Sequence, residues 1–264
     1  MKKIALTSLL AVVAASGAHA ANVIDGNPLY MPKAGHFYSE TALDSHSESA
    51  KDWTLTEGFG YGISDKLAVR VETSLSENEW FDDYAWDEVS VDLTYRALDK
   101  GAWKMDVIGK YGFDGIYSYR KALDKGEWFD KDATDYAWAV GVRGGYMTPK
   151  WTVAGHALFT YLNTESFNWN DDGIHALQLG LDGQYVLCDH LNLVAGVEYT
   201  GFLDDTFDNA GIWEGTFGVN YNIDATKYVG AYISGEMDHW KDSGEKGWDL
   251  EKGFGFGVKF GVDF

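Results

Sequence analysis

The residues best suited to chemistry in this 264-residue sequence are charged side chains set two positions apart. Arg70 and Glu72, Asp92 and Arg96, and Lys104, Asp106 and Lys110 alternate with apolar neighbours. The same phase holds Arg143, Asp182, Glu198, Glu214, Glu236 and Lys259, with Glu40 and Asp263 near the two ends. Residues at this spacing project from one face of an extended chain. Facing each other they form ion pairs; facing water they bias which ions approach. His156 falls in the same phase, between Thr152 and Thr160, with no nucleophile beside it in sequence. It therefore reads as a hydrogen-bonded side chain rather than a catalytic base. The acids Asp82 and Asp83, Asp171 and Asp172, and Asp204, Asp205 and Asp208 have oxygens suited to divalent cations. None follows the spaced 12-residue calcium-loop pattern, so they read as a solvated acidic rim and no metal is assigned. Cys188 is the one cysteine, which rules out an intrachain disulfide and a Cys-rich metal site. No cofactor is expected.

The elements that must carry these charges are strands. Leu67, Val69, Val71 and Leu75 oppose Arg70, Glu72 and Ser74, and Val89, Val91, Leu93 and Tyr95 oppose Ser90, Asp92, Thr94 and Arg96. The alternation returns over residues 103–114, 177–185, 191–200, 213–223 and 254–264. A period of two with one apolar face marks a half-buried strand. Charge on every polar face excludes the two-sided apolar strands of a parallel sheet. A soluble sandwich also alternates, but here the apolar face is long and the connections alternate in length. Short links at 64–66, 98–101, 148–150, 188–190 and 224–226 are interleaved with long acidic links near 45–52, 77–85, 115–132, 164–173, 204–209 and 238–247. That is the rhythm of an all-β, antiparallel up-and-down transmembrane barrel, and the segments count to twelve strands; ten or fourteen fit if the boundaries shift. Closure follows from the solvent: in hydrocarbon each backbone N–H and C=O needs a partner, and only an edgeless sheet supplies one.

The two ends agree with this reading. Lys2 and Lys3, an apolar run from Ile4 to Ala15, and Ala18-His19-Ala20 form a secretory signal peptide, with cleavage expected after Ala20. The apolar run is far shorter than the roughly 20 residues of a membrane-spanning helix. Removing residues 1–20, which hold two lysines and no acid, moves the formal charge from −20 to −22, and so much negative charge argues against nucleic acid as a partner. At the other end Phe254, Phe256, Val258, Phe260, Val262 and Phe264 occupy every second position. Aromatics make up 16% of the chain, with 11 Trp, in keeping with the interfacial girdles of a membrane barrel. The organisation expected is a signal peptide at 1–20, a periplasmic segment at 21–35 and an outer-membrane barrel at 36–264.

The Tyr61-Gly62-Ile63-Ser64-Asp65-Lys66-Leu67 hairpin and the aromatic-ended last strand resemble those of porin-like and transporter-like outer-membrane barrels of Gram-negative bacteria. The resemblance implies that Phe260, Val262 and Phe264 are read by the barrel-assembly machinery. It implies lipid and lipopolysaccharide as surroundings, and names no solute. Outer-membrane phospholipases, with a Ser-His-Asn arrangement, and omptin proteases, with paired acids and a His-Asp couple, also occupy barrels of this size. Neither local motif is visible here, so no enzyme activity is expected. The inward charges fit a passive, mildly cation-preferring channel for small hydrophilic solutes. The alternatives are a closed structural or surface-interaction barrel acting through acidic loops and, ranked last, a rim hydrolase. Repeats of Tyr-Arg and Glu-Trp-Phe-Asp elements suggest a projecting hairpin from Ile116 to Trp138. Glu57 breaks the pattern by sharing a face with Trp53, Leu55, Phe59 and Tyr61, and a bulge turning it inward is the expected remedy.

Overall fold

A computed structural model describes residues 27–46, 52–78, 83–113, 136–163, 173–203, 211–240 and 249–264. The strands are β1 (Phe37–His46), β2 (Asp52–Ser64), β3 (Leu67–Asn78), β4 (Asp83–Lys100), β5 (Trp103–Phe113) and β6 (Tyr136–Met147). They continue as β7 (Trp151–Asn163), β8 (Ile174–Cys188), β9 (Leu191–Phe202), β10 (Gly211–Asn222), β11 (Lys227–Trp240) and β12 (Asp249–Asp263). Each pairs antiparallel with its sequence neighbours, and β1 pairs with β12 to close the barrel. At that seam Phe37 and Phe264 exchange two backbone hydrogen bonds, of 3.3 and 2.7 Å. The twelve-stranded expectation holds, and none of the described strands is left with a free edge.

The alternation explains why the sheet is inside out relative to a soluble protein. Phe59, Leu181, Phe217, Val258 and Phe260 stand exposed on the outer face, while charged and amide side chains at intervening positions are buried within. Only a lipid solvent makes that arrangement favourable. Near the short turns, Phe37 packs on Tyr61 at 4.4 Å, and Tyr146 touches both Trp103 and Trp151. Near the opposite end, Trp53 meets Phe256, Trp138 meets Tyr161, and Tyr199 meets Trp213. These are two aromatic girdles flanking an aliphatic belt. Cys188 is exposed beside the short β8–β9 turn. The signal peptide, the Ile116–Asp135 part of the expected hairpin, and Asp82, Asp171, Asp172, Asp204, Asp205 and Asp208 lie outside the described residues.

One feature departs from expectation. Glu57 is not turned inward: β1 and β2 pair without a shift at Thr41 and Glu57, and the β2–β3 irregularity falls between Gly62 and Ser64. Its carboxylate stays on the outer face and accepts hydrogen bonds from Ser39 Oγ at 2.7 Å and Thr41 Oγ1 at 2.5 Å. Two neighbouring hydroxyls thus do what a bulge was expected to do, blunting the cost of a carboxylate in the apolar belt. The segment before β1 has a defined place that the sequence did not indicate. From Asn27 onward it lies within the short-turn mouth of the barrel, where Pro28, Leu29 and Pro32 are buried.

Candidate functional site in the barrel lumen

Register and pleat together turn the alternating charges into rows on the inner wall. Arg96, Asp106, Arg143, His156, Gly180, Glu198, Glu214 and Glu236 stand directly opposite one another on successive strands from β4 to β11. A second row joins Arg70, Asp92 and Lys110 across β3, β4 and β5. No sequence argument reaches these rows, because they depend on how far each strand is staggered against the next.

The first row begins as a compact ion lattice. Asp106 is 0% exposed and sits between two arginines, taking Arg96 Nε at 2.6 Å and Arg143 Nη2 at 2.8 Å, with longer bonds from Arg96 Nη2 and Arg143 Nε. Forked guanidinium donors on one carboxylate are among the stronger polar contacts in proteins. Arg70 Nη2 meets Glu72 at 2.6 Å and approaches Glu40 at 4.0 Å. Lys104 pairs with Asp99 beside the β4–β5 turn. Thus the wall from β3 to β6 carries Arg70, Arg96, Lys104, Lys110 and Arg143 interleaved with acids.

The rest of the row is different. From β7 to β11 the lumenal positions of the described residues hold no arginine or lysine. His156 is the basic side chain there, with Nε2 3.0 Å from Glu198 and Nδ1 3.3 Å from Asp182. A carboxylate at each nitrogen suits the doubly protonated ring. The contact exists because residue 180 is glycine: a Cβ there would collide with the His156 imidazole. Beyond Glu198, Glu214 faces Glu198 on one side and Glu236 on the other, three carboxyl groups in direct register. Lys259, on β12, lies over the rings of Tyr228 and Tyr232 at 5.7 and 5.9 Å. Tyr228 also donates a hydrogen bond to Glu40.

All fifteen charged positions singled out from the sequence therefore lie on the inner face, most of them on two unlike walls. Phe260 and Val262 face outward on β12, and Phe264 lies just beyond its end. The sequence reading missed the inward tyrosines Tyr38, Tyr228 and Tyr232, whose apolar rings disguise a lumenal position. Near the short turns the interior is dense: Thr152, Asn192, Asn220 and Tyr228 have almost no exposed surface. The segment before β1 adds to this packing, since Arg96 Nη2 donates to the Leu29 carbonyl oxygen at 2.7 Å. Among the described residues, His156 touches no serine, threonine or cysteine side chain in a nucleophile-base geometry; the contacts of its ring nitrogens are carboxylates.

No family model matches the sequence, and no curated protein matches it. Solved structures match it in fold. The NanC porin superposes with a TM-score of 0.61 at 10% identity, covering 85% of this chain and 98% of that one. The translocator domain of the autotransporter NalP from Neisseria meningitidis gives 0.59 at 15% identity, covering 98% of each. The KdgM porin gives 0.56 at 7% identity, covering 86% and 99%. Identities this low speak for architecture alone, and that architecture is the closed antiparallel barrel of porin-like outer-membrane proteins.

Proposed function

We propose that the chain is a passive, non-enzymatic channel for small hydrophilic solutes in the outer membrane of a Gram-negative bacterium, with a preference for cations. The observation that carries the preference is the unlike charge of the two lumenal walls. On β3–β6 the acids are matched by guanidinium and ammonium groups, so that wall is close to neutral. On β9–β11 Glu198, Glu214 and Glu236 form an acidic stripe that climbs away from the short turns. A stripe of carboxylates along a water-filled passage raises the local concentration of cations and repels anions. KdgM was seen with a disordered oligogalacturonate, an acidic chain; the acid excess here disfavours such a solute. The contacts of His156 support a non-enzymatic reading, since its ring is engaged by acids rather than by a nucleophile. On this reading the short turns face the periplasm, and the outer belt is solvated by phospholipid and lipopolysaccharide.

Purified protein in planar bilayers under a potassium chloride gradient is the test. Discrete conductance steps with a reversal potential on the cation side are expected. Replacing Glu198, Glu214 and Glu236 together by glutamine should lower the cation-to-anion permeability ratio several-fold. Silence across voltage and pH would overturn the channel and favour a closed structural barrel, a reading to which the dense packing near the short turns lends weight.

A further inference from the structure

Residues Asn27–His36 cross the short-turn mouth as a strap. At one end Asn27 Nδ2 lies 3.1 Å from Met147 Sδ on β6. Leu29, 1% exposed, gives its carbonyl oxygen to Arg96 on β4. Tyr30 sets its ring edge-on to Tyr38 on β1, and its hydroxyl is 3.4 Å from Asp263 on β12. Tyr30, Met31 and Pro32 line a small gap against Arg70, Asp92 and Thr94. At the far end the chain joins the wall of β2: Ala34 bridges to Gly62, Gly35 N donates to Gly62 O, and Gly62 N donates to His36 O. Six of the twelve strands are touched, β12, β1 to β4 and β6; since β6 and β12 stand on opposite sides of the closed ring, the contacts of the strap reach across the opening along that half of the wall.

How the strap is held differs along its length. From Ala34 on it is part of the backbone ladder, and Gly62 must be glycine there because a Cβ would strike the Pro32 and Lys33 carbonyls. Before Ala34 it is held by side-chain contacts, and its own backbone bonds are local, with Tyr30 N on Asn27 O and Leu29 N on Asn27 Oδ1. Gly35, the first residue whose N–H enters that ladder, has φ +80°, a conformation that glycine adopts without strain. That is the layout of a tethered element with a firm anchor and a releasable body.

We propose that this strap is the gate of the channel: residues 27–33 close the short-turn mouth when docked and open it when they swing out from the anchor that begins at Ala34. The inference rests on the channel reading above. Docking consumes one donor of Arg96 and fills the space beside the Arg96–Asp106–Arg143 lattice, so the same row of charge that lines the passage also holds the gate. The lattice does not depend on the strap, because each arginine keeps its bonds to Asp106. The closed barrel therefore stands whether the strap is in or out.

The test compares three forms of the full-length protein in planar bilayers, each checked for a folded barrel by heat-modifiable gel mobility. One is the unaltered chain, one lacks residues 27–33, and one carries Asn27→Cys and Met147→Cys in a Cys188→Ser background. The unaltered chain should flicker between closed and open levels. The deletion should remove the closures and raise the time-averaged conductance at least twofold. The paired-cysteine form should stay closed when oxidised and recover flicker on reduction. A silent unaltered chain beside a conducting deletion also supports the gate. A deletion that behaves like the unaltered chain overturns the gate and leaves the channel standing. Silence in all three overturns both.

Discussion

Asp106 shows what a single residue does in this barrel. Its carboxylate has no exposed surface and is shared by guanidinium groups from strands on either side, so it fastens β4, β5 and β6 from within. Replacing it with asparagine leaves the shape but strands two buried cations. Breaking a buried pair in this way typically costs roughly 3–5 kcal/mol. Asp106→Asn should lower unfolding stability by about that amount, followed by tryptophan fluorescence during urea unfolding in lipid vesicles. A loss below about 1 kcal/mol would mean that water reaches the arginines and that the lattice is open. Glu57 poses the opposite case. Its hydroxyl partners satisfy it only in part, and the face it occupies is otherwise apolar. The combined change Glu57→Leu, Ser39→Ala and Thr41→Ala should stabilise the barrel by about 1–2 kcal/mol, whereas Glu57→Lys should cost about 2–4 kcal/mol. Equal stability of all three proteins in the same unfolding assay would show that residue 57 lies outside the hydrocarbon.

The strand is the scale at which the sequence was most readable. A period of two needs no tertiary information, so the inward phase of Arg70, Asp92, Asp106 and Glu198, and the alternation of short and long links, follow from residue order alone. The partner of each inward charge does not. Asp106 meets Arg96 across a hairpin, which is local, but His156 meets Glu198 over an intervening strand, through the gap left by Gly180. A glycine in a strand gives no hint from sequence of which side chain will use its space. The segment before β1 was opaque for a different reason: Pro28, Leu29 and Pro32 have no periodicity, and their burial comes from a cavity that exists only once the barrel has closed. The last strand bears on assembly. Phe264 gives β12 both its final aromatic group and its backbone bonds to Phe37. If the aromatic end is the signal read by the assembly machinery, deleting Phe264 should cut the amount of folded barrel in cells several-fold. Refolding of the purified chain into detergent should change little. Equal losses in both settings would assign Phe264 to the seam rather than to recognition.

At the scale of the whole molecule, the barrel joins the residues farthest apart in sequence, since β1 must find β12 before any strand is free of edges. Pairings this distant have a large closure cost and slow folding. Until the seam forms, two rows of unpaired backbone groups are exposed, which makes the incomplete sheet prone to edge-to-edge association. The inner charge lattice works against misregister, because a slip of β5 by one residue would turn Asp106 into lipid and leave Arg96 and Arg143 without it.

The exposed thiol of Cys188, alone in the chain and placed at a short turn, gives the barrel a built-in reporter of sidedness. A maleimide too large and too charged to cross an intact cell envelope should leave the protein untouched on living cells and label it fully once the envelope is permeabilised. Labelling on intact cells would invert the orientation of every hairpin at once.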